Sequence, residues 1–206
     1  EDQLSKGISS EGISENFPTT SPNSLYGASK LASETLILEY GACFDFPVWI
    51  NRCGVLAGAG QFGKPDQGIF SYWVHSCREK KPLKYLGFNG SGFQVRDALH
   101  PQDLGTLIMD QMHAPDKPVP KIINLGGGHA NSISLRRLSD WCEKRFGRTD
   151  VVSSKEDRPL DAPWIVMDST LAKQSWGWAP TTPLEEILDG IAVHAEEHPD
   201  WLGFTK

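Results

Sequence analysis

Tyr26-Gly27-Ala28-Ser29-Lys30 places a phenol and an ammonium four residues apart. On a helix, such positions lie one turn apart on the same face. An ammonium beside a phenol favours the phenolate and lowers the tyrosine from its reference pKa of about 10. A phenol tuned in this way can act as a general base near neutral pH. Pairs of this kind also arise on ordinary solvated helix faces. The context favours the chemical reading: a Ser-Pro turn precedes Tyr26, small residues follow it, and a β-rich run lies beyond. Small residues let a substrate or cofactor come close to the helix.

Gln94-Val95-Arg96-Asp97, with Asp103 six residues after Asp97, is a second grouping. Alternation along a strand puts Gln94 and Arg96 on one face and Val95 and Asp97 on the other. Arg96 could clamp a phosphate through two nitrogens. The competing reading is an ordinary Arg–Asp surface pair, which spacing alone favours. Arg158-Pro159-Leu160-Asp161 poses the same choice, and its sequence is neutral between the two.

Three motifs are set aside. Gly58-Ala59-Gly60-Gln61-Phe62-Gly63 fits a dinucleotide fingerprint literally. However, Lys64-Pro65-Asp66 follows it in place of an apolar helix start, and no acidic residue stands about 20 positions beyond Gly63. A mobile glycine loop at the carboxyl end of a strand is the better reading, and such ends line ligand crevices in α/β sheets. His194-Ala195-Glu196-Glu197-His198 lacks the glutamate that a zincin helix needs after the first histidine, so it reads as a solvated helix end. Gly126-Gly127-Gly128 reads as a tight strand-to-helix turn.

These residues need elements to hold them. Residues 1–22 read as a long surface loop closed by Pro22. Asn23 or Ser24 can cap a helix to about Tyr40, with Leu31, Thr35 and Leu38 as its buried stripe and Gly41 as its end. Pro47 to Arg52 is a buried strand, followed by a glycine loop over 54–68. Ile69 to Lys80 is a helix with Phe70, Trp73, Val74 and Cys77 on one face. Strands are expected over 83–88, 93–99 and 121–125, and a short edge strand at Val151-Val152. Helices are expected over 103–112, from a Ser134 cap to Phe146, from an Asp168 cap to Trp176, and from Pro183 until Pro199. Strands alternating with helices indicate an α/β layer architecture.

Composition bounds the rest. The chain has 206 residues, 39% hydrophobic and 22% charged, with a formal net charge of −6. That is enough apolar material for a core, and it disfavours disordered, collagen-like and disulfide-stapled classes. The mild acidity argues against nucleic acid. Cys43, Cys53, Cys77 and Cys142 form no C-x-x-C pair and fit no metal template, so they read as buried, reduced thiols. Neither a membrane span nor a signal peptide is apparent, which fits a cytoplasmic protein.

With these residues in hand, the chain resembles the downstream part of an extended short-chain dehydrogenase/reductase, an NAD-dependent nucleotide-sugar epimerase or dehydratase. The likeness runs from about Gly12 to Trp201. Asn51 to Gly58, Gln61-Phe62-Gly63, Asp66-Gln67-Gly68 and Gln94 to His100 look most like the CDP-paratose (CDP-tyvelose) 2-epimerase branch. The resemblance implies Tyr26 as catalytic base with Lys30 as its partner, Lys30 also holding the nicotinamide ribose. It implies Cys53, Gly54 and Val55 beside the nicotinamide, and Gln67, Gln94, Arg96 and Arg158 on the sugar nucleotide. Asn124 to Gly128 would be a structural strand and turn.

The implied fold is the downstream part of a Rossmann-like parallel sheet plus a smaller α/β substrate-binding lobe. Residues 1–66 would be the remainder of the catalytic domain. Residues 67–206 would be mainly the lobe, with 93–125 returning to the sheet. The implied reaction is epimerisation of a nucleotide-diphosphate sugar through a transient keto-sugar. A 4,6-dehydratase or reductase, and a non-catalytic sugar-nucleotide-binding fragment, are the alternatives. The chain departs from the family pattern in three ways. The N-terminal glycine fingerprint and its acidic partner are not in it. Nor is the Ser/Thr of the catalytic triad, and Val55 stands where many relatives have asparagine. The chain alone is therefore expected to bind NAD weakly and not to turn over. Relatives often dimerise through a four-helix arrangement, to which the Tyr26 helix would contribute.

Overall fold

The computed structural model describes residues 6–20, 24–156 and 161–205. A small antiparallel hairpin comes first, β1 (Ile8–Ser9) and β2 (Gly12–Ile13). Helix α1 spans Leu25–Phe44. Ser24 caps it by accepting the Gly27 N–H at 3.0 Å, which satisfies one otherwise orphaned donor. The helix runs past the expected stop at Gly41 and ends at Asp45, whose φ of 53° turns the chain left-handed.

Strand β3 (Ile50–Cys53) leads directly into β4 (Val55–Leu56). Next come α2 (Ile69–Arg78), β5 (Leu83–Tyr85), β6 (Val95–Leu99) and α3 (Pro101–His113). These are followed by β7 (Ile122–Leu125), β8 (Ser132–Ser134) and α4 (Leu135–Phe146). The chain continues through β9 (Val151–Ser153), β10 (Trp164–Ile165), α5 (Thr170–Trp176) and α6 (Leu184–Glu197), then a 3-10 turn over Trp201–Thr205.

Parallel pairs dominate: β3 with β7, β4 and β10 with β6, and β5 with β9. β8 joins β6 antiparallel. The fold is therefore mixed α/β, as expected. Parallel strands need long crossovers, and here helices supply them. At Gly54 the chain changes neighbours. Its N–H still bonds Leu125 O of β7 at 2.7 Å, while Val55 and Leu56 pair with Ala98 and Leu99 of β6.

Two apolar clusters form. One gathers Phe70, Trp73, Val74 and Cys77 of α2 with Leu138 and Cys142 of α4 and Ile187, Leu188 and Ile191 of α6. Trp73 stacks on Tyr85 at 5.6 Å, and both donate to Ser139 Oγ, at 2.9 and 2.7 Å. The other gathers Leu99, Leu107, Ile123, Leu125, Ala172 and Trp178.

The apolar stripe expected on α1 does not form. Leu31 and Leu38 are half-buried and Thr35 is exposed. Gly41 alone is buried, against Val48. A helix buries a stripe only where another element covers it, and Leu36, Ile37, Tyr40 and Phe44 remain exposed. For the same reason Cys43 is exposed, against expectation. Cys53 is half-buried, while Cys77 and Cys142 are buried. No described helix is long and apolar enough to cross a membrane.

Candidate active site

A cavity of about 280 Å³ opens beside the point where the strand changes neighbours. Val55 of β4, Gln94 and Arg96 of the β6 segment, and Gln67 and Gly68 of the loop before α2 all line it. Four residues expected from the sequence, Val55, Gln67, Gln94 and Arg96, thus share one wall-to-wall space. Pleat alternation is the reason Gln94 and Arg96 face the same way.

Arg96 donates from Nη2 to Asp161 Oδ1 at 2.6 Å and from Nη1 to Val95 O at 2.7 Å. Both members of this ion pair are largely buried, with side chains 19% and 11% exposed, and both line the cavity. The arginine is therefore held by a carboxylate at the edge of a pocket, not on an open surface. Gln94 gives Nε2 to Leu86 O at 3.1 Å, and its buried Oε1 has no partner among the described residues. Helix α2 begins at the same wall. Gly68 caps it with φ 68° and no side-chain bond, so the positive end of the helix dipole faces the cavity beside Arg96.

Tyr26 and Lys30 stand apart from this cavity on α1. Tyr26 is 66% exposed, and Lys30 Nζ sits 5.4 Å from the centre of its ring. Their helix is fixed one turn further on. Arg52 of β3 reaches Glu34 with Nε to Oε1 at 2.9 Å and Nη2 to Oε2 at 2.6 Å. Glu34 hydrogen bonding, against the cost of burial, raises the Arg52 guanidinium further above its ordinary value. Cys53, next along β3, is pushed up to about 11 by burial, so its thiol stays protonated at neutral pH.

Beneath Gly54 lies Asp97, fully buried. Its Oδ2 accepts N–H bonds from Gly128 at 3.1 Å and Met167 at 3.2 Å, and Oδ1 has no partner among the described residues. Burial raises its carboxyl above the usual range, against those backbone bonds. A Cβ on Gly54 would stand 2.8 Å from Asp97 Oδ1, and one on Gly126 would collide with Oδ2. The triple glycine is thus a packed turn, in keeping with its structural reading. Asp103 binds Thr181 Oγ1 at 2.5 Å and Thr182 N at 3.1 Å. Burial alone would raise its carboxyl, but these bonds outweigh it and hold the group low.

The glycine loop expected to be mobile is pinned. Gln61 O accepts from Ser71 Oγ and from Trp201 Nε1, and Phe62 stacks on Trp201. The histidine pair expected to be solvated is half right. His198 is exposed, whereas His194 Nδ1 lies 3.4 Å from Nε2 of the buried His75. Among the described residues no group of three or more His, Cys, Asp and Glu is set to hold a metal.

Arg158 lies outside the described residues. Cys53 and Gly54 do not line the cavity. Sequence reasoning missed the Glu34–Arg52 clamp, although Glu34 continues the i,i+4 line of Tyr26 and Lys30. It also missed Asp161 as the partner of Arg96 specifically, and the wall supplied by Ser134, Leu135 and Leu138 at the start of α4.

A family model described as "NAD dependent epimerase/dehydratase family" matches residues 5–126. The CDP-paratose 2-epimerase of Salmonella typhi is 28% identical over 164 residues, covering 77% of this chain and 47% of that protein. A UDP-glucose 4-epimerase of Azospirillum brasilense is 27% identical over 194 residues, covering 89% and 54%. The chain spans about half the length of the curated relatives it matches. Among solved structures, UDP-glucuronic acid 4-epimerase from Bacillus cereus, in complex with UDP-glucuronic acid and NAD, superposes with a TM-score of 0.77. It is 24% identical and covers 94% of this chain and 59% of that one.

Proposed function

The chain belongs to the NAD dependent epimerase/dehydratase family, and from that premise we propose that it supplies the sugar-nucleotide side of an enzyme that epimerises a nucleotide-diphosphate sugar. The observation that carries this reading is the convergence of Arg96, Gln94, Gln67 and the start of α2, which no side chain caps, on one cavity. A fixed cation and a helix N-terminus suit a diphosphate. Polar amides beside apolar Val55, Ile133 and Leu138 suit the nucleoside.

NAD, when bound, would take and return the sugar hydride. The Tyr26–Lys30 pair, on the helix that Arg52 ties to β3, and the carboxyl end of that strand, with Cys53, Gly54 and Val55, would hold its nicotinamide ribose end. The Gly58–Gly63 loop does not fit the other end, because protein packs against Gly63: a Cβ there would meet the Tyr72 backbone. Tyr26 Oη would take the proton of the sugar hydroxyl and later give it back. The Lys30 ammonium would stabilise the phenolate between these steps. Arg96 and Arg158 would hold the diphosphate while the sugar turns over. Such an epimerase returns its hydride and so performs no net redox.

The reading carries a division of labour. Residues 1–66 belong with the cofactor, residues 67–206 mainly with the sugar nucleotide, and 93–125 returns to the sheet. Leu99 to Leu125 packing with Cys53 and Leu56 supports this. The exposed Leu36, Ile37, Tyr40 and Phe44 of α1 support a homodimer through that helix. The four free thiols suit a reducing, cytoplasmic setting. A dehydratase or reductase is the second reading, since relatives include a UDP-glucose 4,6-dehydratase-containing protein of Arabidopsis thaliana.

Calorimetric titration of this chain with UDP, CDP and dTDP tests the site. Binding that weakens with salt, and weakens roughly tenfold or more in Arg96→Ala, is expected, since a charge-assisted contact is worth about 1.5–3 kcal/mol. No binding of any nucleoside diphosphate would overturn the reading.

A further inference from the structure

We propose that Trp201, in the 3-10 turn after α6, is a positioning residue for the cavity, fixing the loop that carries Gln67. The inference rests on the sugar-nucleotide reading above. Its starting point is the Gln61 carbonyl, which accepts Ser71 Oγ at 2.6 Å and Trp201 Nε1 at 3.1 Å. A carbonyl oxygen has two lone pairs, so α2 and the C-terminal turn can hold it together. The Gln61 side chain reaches back to Leu56 O of β4 at 2.7 Å. One residue is thus tied to three elements.

Phe62 adds a second hold. Its ring lies 4.9 Å from that of Trp201, within 3° of parallel. Phe62 is 54% exposed. Core burial does not account for an aromatic there, whereas stacking on an indole does. Trp201 in turn meets His194 edge-on at 4.7 Å, and His194 contacts buried His75. The C-terminal turn is therefore anchored before it touches the loop.

From Phe62 to the cavity the chain has little slack. A Cβ on Gly63 would strike the Tyr72 backbone, and one on Gly68 would strike Phe62 O. Lys64 and Gln67 exchange both backbone bonds, at 2.8 and 3.1 Å, closing a tight turn. Pro65, Asp66, Gln67 and Gly68 then form one wall. A short, closed turn moves as a unit. Displacing Gln61 and Phe62 displaces Gln67.

The test compares the wild-type chain with Trp201→Ala, Trp201→Phe, Phe62→Ala and Arg96→Ala. Each is titrated with UDP and CDP by calorimetry, and amide hydrogen exchange is followed over residues 58–68. Trp201→Ala and Phe62→Ala are expected to speed exchange at 61–68. They should weaken binding roughly three- to tenfold, as the competent loop becomes a fraction of the population. Trp201→Phe keeps an aromatic ring for the stack while losing the N–H and part of the indole, so it should recover most of the affinity. A merely structural role would lower the melting temperature and leave affinity unchanged below it. If Trp201→Ala folds and binds as the wild type does, the positioning role is overturned. If Trp201→Ala does not fold, Phe62→Ala decides by the same criterion. If Arg96→Ala weakens binding and neither brace variant does, the site reading stands and this inference fails. If the wild type binds neither nucleotide, both fail.

Discussion

Arg52 on β3 grips Glu34 on α1 through two nitrogens, at 2.9 and 2.6 Å. The grip lies one turn beyond Lys30 and two beyond Tyr26. It couples the strand that ends at Cys53 to the helix that bears the proposed base. A bidentate pair transmits angle as well as distance, so the helix cannot roll without breaking a bond.

Glu34→Gln should keep the volume and lose the charge. A double-mutant cycle with Arg52→Gln is expected to show coupling of about 1–2 kcal/mol, between the exposed and buried limits for ion pairs. Chemical denaturation monitored by far-ultraviolet circular dichroism measures it. Coupling near zero would mean that α1 is held by other contacts.

Tyr26→Phe removes one oxygen. In a form of the protein that turns over, the expected loss is about 10²–10⁴-fold in kcat, the usual worth of a general base. Circular dichroism and nucleotide affinity should not change. Lys30→Met keeps the stem, removes the charge, and should also lower kcat. Wild-type turnover in Tyr26→Phe would remove the tyrosine from the mechanism.

Acid should weaken the fold through His75. Burial first, and then the charge on His194, push it down to about 4, with His198 and Arg78 adding to this and Glu79 opposing. An unfolded histidine titrates near 6.5. Between those values the unfolded chain takes a proton that the folded chain refuses. The contribution is full above about pH 6.5 and is lost as pH falls toward 4, on the order of 2–3 kcal/mol. Melting curves from pH 7.5 to 4.5 should show a steeper decline in wild type than in His75→Gln. Equal slopes would contradict the assignment.

Two glycine substitutions should act in opposite directions. Gly105 lies within α3, and a Cβ there meets nothing within 4 Å. Gly105→Ala is expected to raise stability by about 0.5–1 kcal/mol. Gly126→Ala would drive a methyl group into Asp97 and Met167 and should destabilise or abolish folding. Urea midpoints for the two variants give the comparison.

The elements that could be read from the sequence are those whose signals are local. Phe70, Trp73, Val74 and Cys77 mark α2 by their 3.6-residue period, and all four are buried. Ser134 marks the start of α4 because a capping hydroxyl acts on the next turn, here on Arg137 N at 3.2 Å. Alternation was enough to send Gln94 and Arg96 into one cavity. The α1 stripe failed because burial belongs to the covering surface, not to the helix. Arg96 finding Asp161, and Phe62 finding Trp201, are tertiary events with no periodic trace in either segment. His194 was misread for the same reason, since its partner His75 sits on another helix.

Ile13 in β2 donates to Val166 O at 2.8 Å, and its carbonyl accepts from Asp168 N at 3.0 Å and from Asn124 Nδ2 at 2.9 Å. The hairpin is therefore clasped by a segment made about 150 residues later. At roughly 5–20 residues per second, a ribosome exposes Ile13 for many seconds before Met167 emerges. Until then the hairpin lacks its bonds to Val166 and Asp168. Contacts of such long reach slow folding, because the intervening chain must be ordered first. Docking of the hairpin should thus be a late event, limited by translation rather than by its own two-residue strands.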